Sequence, residues 1–336
     1  MGIKKIADRI MNGDYLSYSD FRDLVSSIRD GRVNDLEFVA ILAAMETRNR
    51  LRGIDLDETS DFVKALRISK QVDLEGILCP AGTGGDPIKT INVSTPASVV
   101  LSSGGVQVLK NGFKSVTGAC GSREILESWG IDPFQNLDQV LESVKEIGIG
   151  YYDFQNLIVK EKRSGFRSPL NYIGALSHPI KVDYKVLGCA NEDQFRIIEQ
   201  LADRLYKNYL LSLNPEIDEI STVSPTEIVE KRNGEKTRYS FDPKSIGIDQ
   251  KTYTPLFPLS SPQENADYVE EIFNGRDCPR GHLIALNAGA GFYLTGRSDS
   301  LKGGYELALQ LLSSKAVANK LQDWREFSGR IKNGKL

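Results

Sequence analysis

The amino-acid sequence predicts an α/β protein, with a small N-terminal helical domain and a larger α/β domain built on a mostly parallel central sheet. Three observations carry that prediction. Residues 3 to 68 hold apolar side chains at helical spacing. From Gly76 onward, short apolar runs alternate with longer amphipathic segments. Glycine clusters follow the first of those runs, where the strand-to-helix turns of a parallel sheet would fall.

The helical opening divides into four segments. Ile3, Ile6, Ile10 and Met11 form one face, Phe21, Leu24, Val25 and Ile28 the next. Phe38, Ile41, Leu42 and Met45 follow, then Phe62, Val63 and Leu66. Asn12-Gly13-Asp14, Asp30-Gly31 and Arg52-Gly53 punctuate them. These faces suit either a core or a dimer contact. Strands are expected at 76–80, 106–110, 148–153, 185–190 and 209–213, alternating with helices at 94–103, 122–129, 137–147 and 192–207. Asn233-Gly234 marks a hairpin with arms at 226–231 and 236–241. Residues 261 to 321 return to helix, and the small residues of Asn287-Ala288-Gly289-Ala290-Gly291 permit close helix packing.

The 336 residues are 40% hydrophobic and 26% charged, the balance of a soluble globular protein. A net charge of -3 and a pI of about 5.7 argue against constitutive nucleic-acid binding. No apolar run reaches membrane-spanning length. The N-terminus reads as the start of an amphipathic helix and lacks the apolar stretch of a signal peptide. The cysteines, at 79, 120, 189 and 278, have no metal-ligand spacing, and His178 and His282 are the only histidines, so a zinc centre is not expected. Cys79 and Cys189 stand in apolar runs and read as buried thiols, whereas Cys120 falls in a glycine-rich loop. A reducing cytoplasm is the expected compartment.

The chemistry concentrates between Cys79 and Gly130. Three glycine-containing clusters lie there: Gly82-Thr83-Gly84-Gly85-Asp86, Lys110-Asn111-Gly112 and Ala119-Cys120-Gly121-Ser122. Glycine accepts positive φ and has no Cβ, so the backbone can approach a phosphate closely. Successive N–H groups in such turns form anion-binding concavities. One cluster alone is equally a tight strand-to-helix turn; three so close together point to a ligand with more than one phosphate. The first feeds Asn92-Val93-Ser94-Thr95-Pro96, where Ser94 is the expected N-cap of a helix whose N-terminus favours an anion. Asp218-Glu219 follows the apolar run ending at Leu213, past a strand's carboxyl end, where open α/β sheets bind ligands. Phosphate-rich substrates bring Mg²⁺, which one or two carboxylates plus substrate oxygens suffice to hold.

These motifs together resemble the anthranilate phosphoribosyltransferases, in the superfamily they share with pyrimidine nucleoside phosphorylases. The matching residues are Gly82-Thr83-Gly84-Gly85-Asp86, Thr90-Ile91-Asn92-Val93-Ser94-Thr95, Lys110 with Gly112, Gly121-Ser122 with Glu124 and Leu126-Glu127, and Asp218-Glu219-Ile220-Ser221. Asn287-Ala288, Ser300-Leu301 with Gly304, and Glu306-Leu307-Ala308 also match. The resemblance implies a helical domain of residues 1–70, joined by a returning segment near 164–182 and hinged to an α/β domain of 76–163 and 183–336. It implies a homodimer through the N-terminal helices. It also implies a phosphoribosyltransferase that uses phosphoribosyl pyrophosphate (PRPP), Mg²⁺ and a small aromatic acceptor.

By the same resemblance, Gly82, Thr83, Gly84, Gly85, Asp86, Thr90, Asn92, Ser94, Thr95, Lys110, Gly112 and Ser122 would bind PRPP. Ser94, Asp218 and Glu219 would bind metal. Asn111, Phe113, Glu161, Arg167 and Gly174 would line the acceptor side. No residue is assigned as a catalytic acid or base, since an aromatic amine is already a neutral nucleophile at pH 7. The departures from the family fall mostly on the acceptor side. Its Lys-His-Gly-Asn-Arg is here Lys110-Asn111-Gly112-Phe113-Lys114, its Gly-Pro-Leu-x-Asn-Pro is Gly174-Ala175-Leu176-Ser177-His178-Pro179, and its His-Pro-Ala-Met segment is missing. Glu161 aligns with the arginine that would hold the anthranilate carboxylate, with Lys160, Lys162 or Arg163 as substitutes in a shifted register. Anthranilate, and with it tryptophan biosynthesis, is therefore less expected than a related aromatic nitrogen acceptor. A nucleoside phosphorylase is the alternative, disfavoured by Asp218-Glu219. A non-catalytic nucleic-acid-binding relative is disfavoured by the acidic pI.

Overall fold

The computed structural model describes residues 3–68, 72–112, 120–153 and 168–334. The chain divides into two units, Met1–Val72 with Phe154–Lys181 and Arg196–Leu205, and Asp73–Asp153 with Val182–Phe195 and Tyr206–Leu336.

Helices Ile3–Met11, Tyr18–Arg29, Asp35–Arg52, Leu56–Ala65 and Leu170–Leu176 belong to the first unit. Their starts are written locally. Ser17 and Asp20 form a capping box, as do Asn34 and Glu37, and the Asp55 side chain accepts the Glu58 N–H. Most of the expected apolar faces are buried in the core, Ile3 being half-buried and Met11 exposed, and Phe21 stacks on Phe62 with ring centroids 4.4 Å apart. Arg48 and Glu58 form an ion pair inside this core, and Glu58 also accepts the Leu16 N–H at 2.7 Å. The Ile68 N–H donates to the Pro179 carbonyl, tying the returning chain to the first helices.

The second unit is built on a seven-stranded sheet. Its strands are β1 (Leu78–Gly82), β2 (Val108–Gly112), β3 (Ile149–Asp153), β4 (Tyr184–Cys189), β5 (Asn208–Leu213), β6 (Thr226–Arg232) and β7 (Glu235–Phe241). The order is β3-β2-β1-β4-β5-β6-β7, parallel through β5 and antiparallel for the last two pairs. The sequence places β1 and β2 two residues too early. Glycine has low strand preference, yet Gly82 pairs with Gly188 and Gly112 with Asp153, so sheet pairing overrides local propensity. Crossovers run outward to β2 and β3 on one side and to β5 on the other. The β1–β4 junction is thus the topological switch point, where doubly wound sheets open a crevice beyond the strand ends.

Helices Ser94–Ser103, Pro262–Phe273, Pro279–Leu294, Leu301–Ser313 and Ala316–Lys332 contribute to the core of this unit. The small-residue stretch acts as expected. A Cβ on Gly304 would lie 2.2 Å from the Gly289 carbonyl oxygen, and one on Gly291 would meet Leu101 at 2.6 Å. Helix propensity favours Ala over Gly by about 1 kcal/mol, but a backbone carbonyl cannot swing aside. Gly304→Ala is therefore expected to destabilise the protein by about 1–3 kcal/mol, read as a lower denaturant midpoint at unchanged m-value.

Candidate active site

The site forms where β1 and β4 end. Gly82 and Gly188 face each other in register there. A Cβ on Gly188 would stand 1.8 Å from the Asp218 carbonyl oxygen, and one on Gly82 2.2 Å from Asp218 Oδ2. The loop leaving β5 lies across both strand ends, in space that side chains would otherwise fill. Gly188 is invisible as a functional residue in the sequence; its signal is a lone glycine inside an apolar strand.

Asn214 shapes that loop from within. Its Oδ1 accepts the N–H groups of Glu216 and Ile217, while Nδ2 donates to Ser224 Oγ at 2.9 Å and to the Pro225 carbonyl at 3.1 Å. The Tyr253 hydroxyl donates to Glu216 and meets Ser221 and Ser224. The result carries Asp218, buried, and Glu219, half-buried with Oε2 enclosed and unpartnered.

The first glycine loop is tied to this one. The Gly84 N–H donates to Asp218 Oδ2 at 2.6 Å, the Thr83 N–H to the Gly188 carbonyl, and the Ile88 N–H to the Glu216 carbonyl. Gly84 and Gly85 have φ of +70° and +81°, the left-handed region that favours glycine. Asp86 pairs with Lys89 at 2.9 Å. Thr90 Oγ1 donates to the Ile91 carbonyl.

Helix Ser94–Ser103 begins beside these loops, and here the sequence expectation needs correction. Ser94 is the first helical residue and makes no cap bond; Asn92 Oδ1 instead accepts the Thr95 N–H at 3.2 Å. With the helix already begun at Ser94, the Asn92 amide does the work assigned to Ser94, which is left beside Asp218 and Glu219, lining the same small cavity. Thr95 Oγ1 is fully buried without a hydrogen-bond partner.

Lys110 and Asn111 on β2 are buried, and Gly112 closes the strand, its absent Cβ making room for Ser122 and Tyr151. Lys110 Nζ donates to the carbonyls of Asn111 and Pro80 at 3.3 and 3.4 Å. Burial lowers its pKa to about 8, with Lys185 adding to that effect and Cys79 and Asp218 opposing it. Cys79 is buried as expected, but it is not an inert filler. It lies 3.1 Å from Asn111 Oδ1 and receives the ammonium of Lys185, its register partner on β4, at 3.3 Å. Nothing in the sequence reading singled out Lys185. Cys120 is half-buried, and burial pushes its thiol up to about 12, with Glu124 adding to it, so it is no nucleophile.

The structure thus brings Gly82 to Asp86, Thr90, Asn92, Ser94, Thr95, Lys110 to Gly112, Ser122, Asp218 and Glu219 into one unit. Gly174 lies in helix Leu170–Leu176 of the other. Phe113, Glu161 and Arg167 lie outside the described residues.

Burial raises the Asp218 pKa to about 6, with Asp86 adding to it. Burial also lifts Glu219 well above the carboxylate range, reinforced by Asp218 and Asp86. Two carboxylates pushed together out of water, one oxygen unpartnered, suit a divalent cation. Among the described residues no group of three or more His, Cys, Asp or Glu completes a metal site alone.

The glycosyl transferase family a/b domain matches residues 75–317. The anthranilate phosphoribosyltransferase of Pseudomonas putida is 30% identical over 349 residues, covering 99% of both chains, and that of Nitrosomonas europaea 28% over 341 residues, covering 98% of this chain and 99% of the other. The chain belongs to the anthranilate phosphoribosyltransferase family of glycosyl transferases. It is an enzyme of the pentosyltransferase class. The crystal structure of the Thermus thermophilus enzyme superposes with a TM-score of 0.83 at 26% identity, covering 96% of this chain and 99% of that one. The fold also matches the Saccharomyces cerevisiae enzyme in complex with PRPP and Mg, TM-score 0.81 at 22% identity, covering 97% and 98%.

The raised carboxylate pKa values set a pH dependence. A carboxyl that binds its proton more tightly folded than unfolded stabilises the fold at low pH, and that contribution is lost as pH rises. Without divalent cations, the protein is expected to lose stability as pH rises from about 4 to and beyond about 6, the Asp218 value, relative to an Asp218→Asn/Glu219→Gln double variant, since Glu219 is also raised. Paired thermal melts across that range check it.

Proposed function

We propose that this enzyme transfers phosphoribose from PRPP to an aromatic nitrogen acceptor, releasing pyrophosphate, with Mg²⁺ as cofactor. The observation that carries the proposal is the desolvated Asp218–Glu219 pair held over the β1–β4 switch point by the Gly82–Asp86 loop. The backbone of Gly82, Thr83, Gly84 and Gly85, with Asn92, Ser94, Thr95 and Ser122, binds the donor's phosphates. The unpartnered Thr95 hydroxyl is one donor waiting there. Asp218 and Glu219, with Ser94 beside them, would hold Mg²⁺, which would supply positive charge against the pyrophosphate leaving group. Lys110, buried one strand away, sets the field at the same strand ends. No group need act as a strong base, and positioning the amine against C1 is the main demand.

The acceptor reading rests on sequence. Phe113 and Glu161 stand where the family has an asparagine and a carboxylate-binding arginine. An unpaired anthranilate carboxylate facing Glu161 would be disfavoured by like-charge repulsion, so a neutral or cationic aromatic amine suits the site better. The helical unit exposes Met11, Leu36 and Leu51, with Tyr15 and Tyr18, which supports a homodimer through these helices; a monomer by sedimentation equilibrium would refute that contact. The buried cysteines accord with a cytoplasmic enzyme.

The test is pyrophosphate release from PRPP across a panel of aromatic amines including anthranilate, with and without Mg²⁺. Metal-dependent release with a non-anthranilate acceptor is expected, together with severe loss in Asp218→Asn and Glu219→Gln. Inorganic phosphate replacing PRPP productively would make the enzyme a nucleoside phosphorylase. A specificity constant for anthranilate of about 10⁴ M⁻¹s⁻¹ or more would overturn the acceptor assignment.

A further inference from the structure

We infer that Asn287 is the positioning residue of the metal-binding loop, holding Glu219 in place through the backbone of Ile220. This rests on the proposed role of Asp218 and Glu219. The Asn287 Oδ1 accepts the Ile220 N–H at 3.0 Å, and its Nδ2 donates to the Ile220 carbonyl at 3.1 Å. One side-chain amide thus satisfies both backbone groups of the residue next to Glu219, as a neighbouring strand would. Nδ2 also donates to the Leu283 carbonyl at 2.9 Å, one turn back on its own helix, which fixes the rotamer.

The helix itself is rigidly seated. Leu286 and Ala288 are fully buried, and Gly289 lies against the backbone of Gly304 and Tyr305. Asn287 lines the same cavity, of about 20 Å³, as Ser94, Asp218 and Glu219. Asn214 organises the loop at its β5 end and Thr226 Oγ1 accepts the Ser221 N–H at 3.1 Å, but both backbone groups of Ile220, the residue next to Glu219, are held by Asn287, 67 residues away.

Only an amide of this length supplies an acceptor and a donor together. An aspartate keeps the acceptor, loses the donor to the Ile220 carbonyl, and adds negative charge beside a carboxylate pair already crowded. An alanine leaves the Ile220 N–H and carbonyl buried and unpaired, a state that drives the loop toward solvent.

The experiment compares wild type with Asn287→Asp, which preserves shape, and Asn287→Ala. Three readouts are taken: amide hydrogen exchange across residues 214–226 without metal, the Mg²⁺ concentration needed for PRPP to raise the melting temperature, and kcat and KM for PRPP at saturating Mg²⁺. The expected result is faster exchange at Ile220 in Asn287→Ala, and a smaller change in Asn287→Asp, which keeps the acceptor for that N–H. The Mg²⁺ requirement should rise by about tenfold to a hundredfold, the range for groups that orient metal ligands, while KM for PRPP at saturating metal changes far less. A uniform loss of kcat with unchanged Mg²⁺ requirement would make the role merely structural and overturn the inference. So would wild-type exchange at Ile220 in both variants. If wild type itself gains no stability from PRPP and Mg²⁺, the donor reading fails instead, and the exchange data alone decide whether Asn287 clamps the loop.

Discussion

The structure depends on one close approach, that of the Asp218 backbone and carboxylate to the ends of two parallel strands. Gly82 and Gly188 lie in register, and neither has a Cβ to stand between the sheet and the acidic loop. The sheet order creates a crevice at this junction, and the two glycines lower its floor. The acidic loop fills it from β5, while the first glycine loop closes on it through the Gly84 N–H. Substrate phosphates and cation would therefore meet on backbone and carboxylate at the strand ends themselves. Rigid elements hold a site more accurately than loop tips do.

That approach has an electrostatic consequence. Pressing Asp218 and Glu219 into the crevice removes them from water, with Asp86 close enough to add its repulsion. A buried charge costs several kcal/mol unless compensated, and the compensation within the chain is partial: one Gly84 N–H, with the Lys89 ammonium committed to Asp86. The protein stores this unfavourable state because the surrounding network over-determines it. Asn214 and Asn287 hold the loop by bonds to its backbone, and Tyr253 holds it through the side chains of Glu216, Ser221 and Ser224, so none of these anchors uses Asp218 or Glu219. Stability is concentrated in the supports and withheld from the ligating groups, so cation and donor binding can return it.

Much of this was legible in the sequence, for identifiable reasons. Helix positions followed from periodicity, and Ser94–Ser103 and Leu137–Ile147 match it to the residue. The GTGGD loop and the Asp218–Glu219 pair are each common alone and stood out only in combination, and the structure ties the two together at the strand ends. The misses share another cause. Strand limits at β1 and β2 slipped because the glycines that end them pair across the sheet, a tertiary effect. Asn92 took the capping role given to Ser94 because the choice turns on loop geometry. Lys185 and the clamp by Asn287 are relations between segments far apart in the chain that no local pattern encodes, and Gly188 leaves only the weak signal of a lone glycine in an apolar run.

The uneven divergence from the family follows from the same division. Donor-side residues answer to constraints that permit few solutions: a missing Cβ at Gly82, positive φ at Gly84 and Gly85, two carboxylates against a strand end. Any side chain at Gly188 collides with backbone, so these positions resist change whatever the acceptor is. The acceptor-side departures at Phe113 and Glu161 are differences of charge and polarity in the sequence. Selection can rewrite which amine is accepted without disturbing how the phosphoribosyl donor is held. Donor-side glycines that cannot change, beside acceptor-side positions free of that constraint, are the division along which a family can keep its chemistry while its acceptor is open to change.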